Sequence, residues 1–567
     1  MHPKQQIKTL LKKLTGEEAE LKPSPVADFG TPVAFKLAPR HRKSPKLIAD
    51  ELAEKLKQNL PESVSSVEST NGYLNFYLNY NVFSKSILRE VRDKKENFGR
   101  SENKNLKIIL EHTSVNPSGP VHIGRLRNSL IGDSLARILE FAGFDVETHY
   151  YVNDIGKQIA IIAQGFIEEI PPDSKAVERY KKYKDKDDFI VFFEYVSANR
   201  EFEKNPVFQN KVQALLRSAD SGDLEAKNKI TGVAEKCLSG QKEIFSKLNI
   251  NFDCFDFESE YKTDEVIEFL KNNEYAKIID GCVALDLESF GLKKKGGGSV
   301  LARDDGTSVY LTRDIAYHLE KIKLGERIIN VLGEDHKFEF MELKTILTEF
   351  YKIKKEIDAV HFSFVSFEGE KLSTRSGKTA PVDKLIDDAV LKAGQEIKKR
   401  GIAGIDAAGM IGIGAMKYHL IKREPQKPIT FRWSEALNFD GETAPYIQYA
   451  HARCCRILEK ANFKVGEVAV DELFNDGFEL EKEEKNLIKI ISEFEDVVER
   501  ASGELKPNLI AIYVYEIASQ FSKFYKECKV IGTDENVEKR RLLMVDAARQ
   551  VIKNALLLIG IDAPDRM

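Results

Sequence analysis

The chain has 567 residues, of which 42% are hydrophobic and 31% charged. At roughly 150 residues per domain that makes about four globular units, not a disordered or collagen-like chain. The 86 Lys and Arg stand against 90 Asp and Glu, a net charge of −4, which excludes histone-like binding by bulk positive charge but not an enzyme that gathers basic residues on one face.

In chain order, MHPKQQIKTLLKKL reads as an amphipathic helix; it is basic, but no apolar h-region follows, so it does not read as an export signal. A loop with ADFGTPVAF and a basic run from Pro39 to Lys46 precede a helical pattern through LIADELAEKLKQNL. In NGYLNFYLN, Tyr73, Asn75, Tyr77 and Asn79 alternate with Leu74, Phe76 and Leu78, the period of a half-buried strand. These patterns predict a small α+β domain over 1–104, closed by the charged linker RDKKENFGRSENKN.

From Leu106 the texture changes. KIILEH predicts a buried strand, SVNPSGPVHIG a turn-rich loop, RLRNSLIGDSLARILEFAG an amphipathic helix ended by Gly143, and DVETHYYVND a second strand. This β-loop-α-β unit predicts a Rossmann-type α/β domain over 105–381. Charged sequence at about 171–229 predicts a helical insertion on its surface. Sheet-like texture returns in CVALDLESF, SVLARDDGTSVYLTRD and RIINVLGEDH. Lys293–Lys295 and Gly296–Gly298 lack the P-loop order and read as a flexible hairpin or an RNA-facing loop. After about Val382 the pattern is nearly all helical, giving a connector over 382–435 and an all-α domain over 436–567. Six cysteines without a C-x-x-C pair predict buried thiols in a reducing cytoplasm, with no zinc knuckle. No stretch approaches the ~18 apolar residues of a membrane span, so no membrane partner is expected.

Two loops carry chemistry. Gly119–Gly124 lies between a strand and a helix N-terminus, where backbone N–H groups and the helix dipole favour a phosphate. His122 can donate a hydrogen bond to it, and Gly124 lets the backbone come close. Far along the chain, Lys371-Leu372-Ser373-Thr374-Arg375 follows HFSFVSF on a polar loop suited to a triphosphate losing pyrophosphate. Singly, each is more often a structural turn. Together, in this order, they resemble the HIGH and KMSKS signatures of class I aminoacyl-tRNA synthetases. EHTSVNPSGPVHIG, VNDIGKQIA, YLTRD, LGEDH, KLSTRSG, GETAPYIQYAHAR and DAARQVIKNALLLIGIDAPDRM resemble arginyl-tRNA synthetases more narrowly, from about residue 70 to the last. Arg125 stands where the family has its second histidine, and Thr374 where it has a lysine, with Arg375 the nearest substitute.

The resemblance implies a fold and a set of sites. The fold is a Rossmann-type catalytic domain between a small α+β N-terminal domain and an all-α anticodon-binding domain. Catalysis falls to His122, Gly124, Arg125, Lys371 and Arg375. ATP, with Mg2+ carried by the nucleotide and no protein-built metal site, falls to Pro120, His122, Gly124, Gly333, Asp335, His336, Lys371 and Ser373. L-arginine falls to Glu111, Ser114, Asn116, Tyr310 and Asp314: a guanidinium has five donors and calls for carboxylates. The plain alternatives are structural ion pairs, Arg313 being next to Asp314, and a satisfied core histidine at His336. tRNA(Arg) falls to Asn75, Tyr77, Tyr446, Tyr449, Arg453, Tyr525 and Met567, aromatic faces and guanidinium planes being common holders of unstacked bases; Phe521 and Phe524, at helical spacing, read as core. The family further implies a cytoplasmic monomer that needs tRNA before it activates arginine. Against these stand a synthetase of another specificity, a small-molecule adenylyltransferase and a non-catalytic RNA-binding paralogue.

Overall fold

The computed structural model describes residues 3–294, 296–368, 380–400, 407–474 and 479–567, except the side chain of Asp220. By contacts the chain divides into two compact units. The first comprises Met1–Phe98, Ala450–Glu495 and Glu516–Asn554, the second Gly99–Tyr449, Asp496–Tyr515 and Ala555–Met567.

The first unit begins with α1 (Pro3–Thr15), β1 (Lys22–Pro23), β2 (Phe29–Thr31), α2 (Val33–His41), α3 (Pro45–Lys57), β3 (Val64–Thr70), β4 (Tyr73–Leu78) and α4 (Tyr80–Lys94). The strands form an antiparallel sheet in the order β1-β2-β4-β3. The strand expected in NGYLNFYLN is present, but Asn75 does not face outward: it is 4% exposed, and its Oδ1 accepts a hydrogen bond from Ser24 at 3.0 Å. Nor does the linker begin at Arg92. Phe83, Ile87, Leu88 and Val91 line the buried face of α4, so Arg92 to Lys94 are its last turn. Within this unit the N-terminal fold packs on C-terminal helices. Lys489 donates to the Asp28 carbonyl at 3.1 Å, Phe98 stacks on Phe494 at 6.3 Å, and Asn554 donates to the Lys95 carbonyl at 3.0 Å.

The second unit is built on β5 (Lys107–Glu111), α5 (Ile123–Phe141), β6 (Asp145–Val152), α6 (Lys157–Ile167), α7 (Ser174–Arg179), α8 (Asp187–Lys204), α9 (Pro206–Asp220), α10 (Leu224–Lys247) and β7 (Cys254–Phe257). It continues with α11 (Asp264–Lys271), β8 (Ala276–Ile279), β9 (Cys282–Leu285), β10 (Ser299–Ala302), α12 (Tyr310–Leu324), β11 (Arg327–Gly333), α13 (Lys337–Thr345), β12 (Glu356–Phe362) and β13 (Val365–Phe367). The central sheet runs β12-β11-β5-β6-β7 and every pairing in it is parallel. Ile108, Ile109 and Leu110 are fully buried, as a strand covered on both faces requires.

Three expectations need correcting here. The charged insertion is helical well beyond residue 229, to Lys247, and it is no surface appendage. Val191, Phe208, Ile230 and Cys237 share a core with Ile159–Ala163 of α6, while Phe189 and Phe192 close another. YLTRD, counted with the sheet-like text, opens α12. The largely helical stretch α14 (Val382–Arg400), α15 (Ala408–Ile421), α16 (Trp433–Ala436) and α17 (Ala444–Lys460) is interrupted by a short strand, β14 (Ile429–Phe431), parallel to β13. The chain ends in α18 (Lys482–Ser492), α19 (Phe494–Glu504), α20 (Asn508–Glu527) and α21 (Glu535–Leu558). No helix of the described residues is long and apolar enough to cross a membrane.

Candidate active site

From β5 the chain moves to β6 on one side, and β11 later joins β5 on the other. The carboxyl ends of β5 and β11 therefore flank a switch point, the place where open α/β sheets bind ligands. Glu111, the last residue of β5, lies in register with Asn330, three residues before Gly333 ends β11.

The loop leaving β5 is tightly held. Thr113 (φ 75°) and Ser114 (φ 41°) both occupy the left-handed region, which costs energy without glycine. Asn128 of α5 holds Thr113 by accepting from its N–H at 2.9 Å, and the Tyr150 hydroxyl accepts from Val115 N–H at 3.1 Å. Further on, His122 caps α5. Burial first, and the Arg125 charge second, lower its pKa to about 4, so the imidazole is neutral at physiological pH. Its Nδ1 is buried without a hydrogen-bond partner in the described residues. A Cβ on Gly124 would stand 3.1 Å from that ring; the glycine makes room for His122 as well as for a ligand. The segment is also paired with the chain before α14: Ile123 N–H donates to the Ala380 carbonyl at 3.1 Å and Val382 N–H to Val121 at 2.8 Å.

Carboxylates gather around Glu111 at the end of β5. Glu111 accepts from Ser114 Oγ at 3.0 Å and from Lys321 Nζ at 2.6 Å, and Lys321 is 1% exposed. Arg313, the sequence neighbour of Asp314, pairs instead with Glu258. Among the described residues no cation lies within ion-pair distance of Asp314. Burial, and then the charge of Glu111, push its carboxyl up to about 7. Asn116 is exposed, its Nδ2 donating to Gln158 at 3.4 Å, and Tyr310 is 68% exposed at the start of α12. Pro120 is buried; Gly333 ends β11, while Asp335 and His336 are exposed just beyond it, so His336 is not a core histidine. Lys371, Ser373 and Arg375 lie outside the described residues.

Several residues of this region give no signal in the sequence. Arg127, fully buried in α5, donates to the carbonyls of Ser363 and Lys427 at 2.8 Å and of Glu424 at 3.0 Å. Glu147, His149 and Cys254 bring possible metal donors within 4.8 Å of one another. His149, however, is bonded through Nδ1 to Asp256 at 2.7 Å and through Nε2 to Glu147 at 3.0 Å. Burial opposes its charge, but the two carboxylates prevail and raise its pKa, and both ring nitrogens are already engaged by carboxylates. None of the six cysteines is in a disulfide; Cys237, Cys454 and Cys528 are buried and the others half-buried.

Of the expected RNA contacts, Tyr446 and Tyr449 belong to the second unit, where the Tyr446 ring lies 5.6 Å from Tyr515 and Tyr449 is exposed. Met567 is half-buried. In the first unit the Arg453 guanidinium sits 5.6 Å from the centre of the exposed Tyr525 ring, and Phe521 and Phe524 are core. Tyr77 is half-buried, its hydroxyl 3.3 Å from Glu68.

A parallel sheet with its switch point at β5 and β11, a histidine-glycine loop opening α5 and a helical C-terminal region define a class I aminoacyl-tRNA synthetase. Residues 87–433 match the family of tRNA synthetases class I (R), catalytic domain; 2–78 match the arginyl tRNA synthetase N terminal domain, and 447–567 the DALR anticodon binding domain. The chain is 40% identical over 552 residues to the arginine–tRNA ligase of Methanocaldococcus jannaschii, covering 96% of this chain and 94% of that one. It is 38% identical to that of Archaeoglobus fulgidus, covering 97% of each. The solved arginyl-tRNA synthetase of Thermus thermophilus is similar over 99% of both chains, with 25% identity and a TM-score of 0.80. The chain belongs to the arginyl-tRNA synthetase family.

Proposed function

We propose that this arginine–tRNA ligase works by positioning and charge stabilisation, without a covalent enzyme intermediate. An arginine carboxylate oxygen attacks the α-phosphorus of ATP, whose pyrophosphate leaves. The terminal adenosine hydroxyl of tRNA(Arg) then takes the arginyl group and AMP is released. Pro120, His122, Gly124, Gly333, Asp335 and His336 line the ATP side, with Mg2+ borne by the nucleotide. His122, neutral at working pH, donates to a phosphate oxygen, and Arg125, Lys371, Ser373 and Arg375 meet the phosphate charge. Asp314 takes the guanidinium, Tyr310 flanks it, and Glu111, Ser114 and Asn116 hold the rest of the amino acid. Tyr446, Tyr449, Arg453, Tyr525 and Met567 face the anticodon loop, and Tyr77 the tRNA elbow; Asn75 supports that strand from within. We take the enzyme to be a cytosolic monomer divided as 1–104, 105–381, 382–435 and 436–567.

One observation carries the arginine assignment. Asp314 is a desolvated carboxylate beside Glu111 and Glu258, and the cations nearby, Lys321 and Arg313, are spent on those two. A guanidinium supplies the missing charge and its N–H donors together. The test is incorporation of labelled arginine, against other amino acids, into a tRNA pool with ATP. Arginine-dependent ATP–pyrophosphate exchange should be near background with protein alone and appear on adding tRNA(Arg). Strong exchange without RNA would count against the coupling of RNA binding to activation. Exchange with another amino acid would count against the pocket.

A further inference from the structure

The insertion grips the His122 loop from two sides. On one side, Gln241 of α10, fully buried, donates to the Gly119 carbonyl at 2.8 Å and accepts from the Tyr150 hydroxyl at 3.0 Å. Gly119 has φ 151°, and a Cβ there would stand 2.9 Å from Phe192 of α8, so the loop is seated directly on the insertion. On the other side, the insertion clasps α14. Lys186 bridges Asp188 at 3.0 Å and Asp383 at 2.9 Å in a buried cluster. One helical turn on, Asp387 accepts from both Lys182 and the Tyr183 hydroxyl. The residues leading into α14 are those whose backbone pairs with Val121 and Ile123.

We propose that the insertion is a positioning cradle for the phosphate loop, Gln241 and Phe192 holding Gly119 directly while Lys182, Tyr183 and Lys186 hold Val121–Ile123 through α14. This rests on the reading that His122 meets the ATP phosphates. A group held to a fraction of an ångström by such contacts loses rate steeply when it is displaced. The insertion's lysines therefore serve adenylate formation rather than the grip on RNA.

The experiment measures single-turnover adenylate formation at saturating tRNA, together with tRNA affinity by filter binding, in the full chain. Gln241→Met should slow adenylate formation roughly tenfold, with tRNA affinity unchanged. Because that buried variant can fail to fold, the surface pair gives a second arm: Lys182 is 67% and Asp387 40% exposed. Lys182→Asp and Asp387→Lys should each slow the step about two- to fivefold, and the double exchange should restore it. A well-folded Gln241→Met with normal rate, or single exchanges that weaken tRNA binding without slowing the step, would overturn the cradle. So would a double exchange that stays slow. His122→Asn separates the two readings. If it leaves adenylate formation intact, the phosphate-loop reading fails; if it stops the step while the insertion variants run normally, only the cradle fails.

Discussion

Asp314→Asn keeps the size of the side chain and removes its charge. In the structure that carboxyl is raised to about 7 by burial and by Glu111, with Lys321 opposing. Loss of a charge-assisted hydrogen bond costs about 1.5–3 kcal/mol, so at about 1.4 kcal/mol per tenfold the arginine KM should rise roughly 10- to 100-fold, with the ATP KM nearly unchanged. The parent's own arginine kcat/KM should fall as pH drops below about 7, because protonation removes the anion; the variant should lose that dependence. Stability runs the other way. The folded carboxyl titrates above its unfolded value, so the folded state keeps a proton that the unfolded chain has lost, and stability declines as pH rises between the two. Asp314→Asn should therefore raise Tm most at pH 8, where the parent carries the desolvated charge, and by less at pH 5, nearer the unfolded carboxyl's own titration. The assays are tRNA-dependent exchange against arginine concentration and thermal unfolding at both pH values. Equal arginine affinity in variant and parent, with the fold intact, would remove Asp314 from the pocket.

Lys321→Met leaves Glu111 buried without its partner and should cost about 3–5 kcal/mol in denaturant unfolding; Glu111→Gln in the same chain should recover part of that loss. Gly132→Ala puts a Cβ 2.1 Å from the His112 ring and should destabilise by about 1–3 kcal/mol, read by thermal unfolding. Lys371→Ala should slow adenylate formation more than it weakens ATP binding, since the charge it meets peaks in the transition state; single-turnover kinetics and ATP titration separate the two. Tyr525→Ala removes an exposed ring beside Arg453 and should raise the tRNA concentration needed for exchange without abolishing exchange at saturation.

What could be read from sequence was local. KIILEH, the alternation in NGYLNFYLN and the apolar face of RLRNSLIGDSLARILEFAG each carry their periodicity within a few turns, and each became the element expected. The errors arose where burial was decided by distant chain. Asn75 obeys the alternation as text, yet Ser24 covers it. The insertion looked solvated because lysines dominate its sequence, although Phe189, Val191 and Phe192 close its core.

The same division runs through the candidate site. His122, Gly124 and Asp314 stand in short motifs, and the resemblance of those motifs to a family is what recommends them. Their supports do not: Lys321 lies 210 positions from Glu111, and Gln241 lies 122 from Gly119. A buried lysine or glutamine in a helix carries no local mark of the atom it will hold, because its role exists only once the fold brings the acceptor to it. Yet these partners set the chemistry. Lys321 neutralises Glu111 and so leaves Asp314 as the carboxylate with charge to offer, while Arg313, the obvious neighbour in sequence, is turned to Glu258. Sequence adjacency therefore pointed to the wrong ion pair, and which carboxylate is left without a cation follows from which ones the fold has already paired.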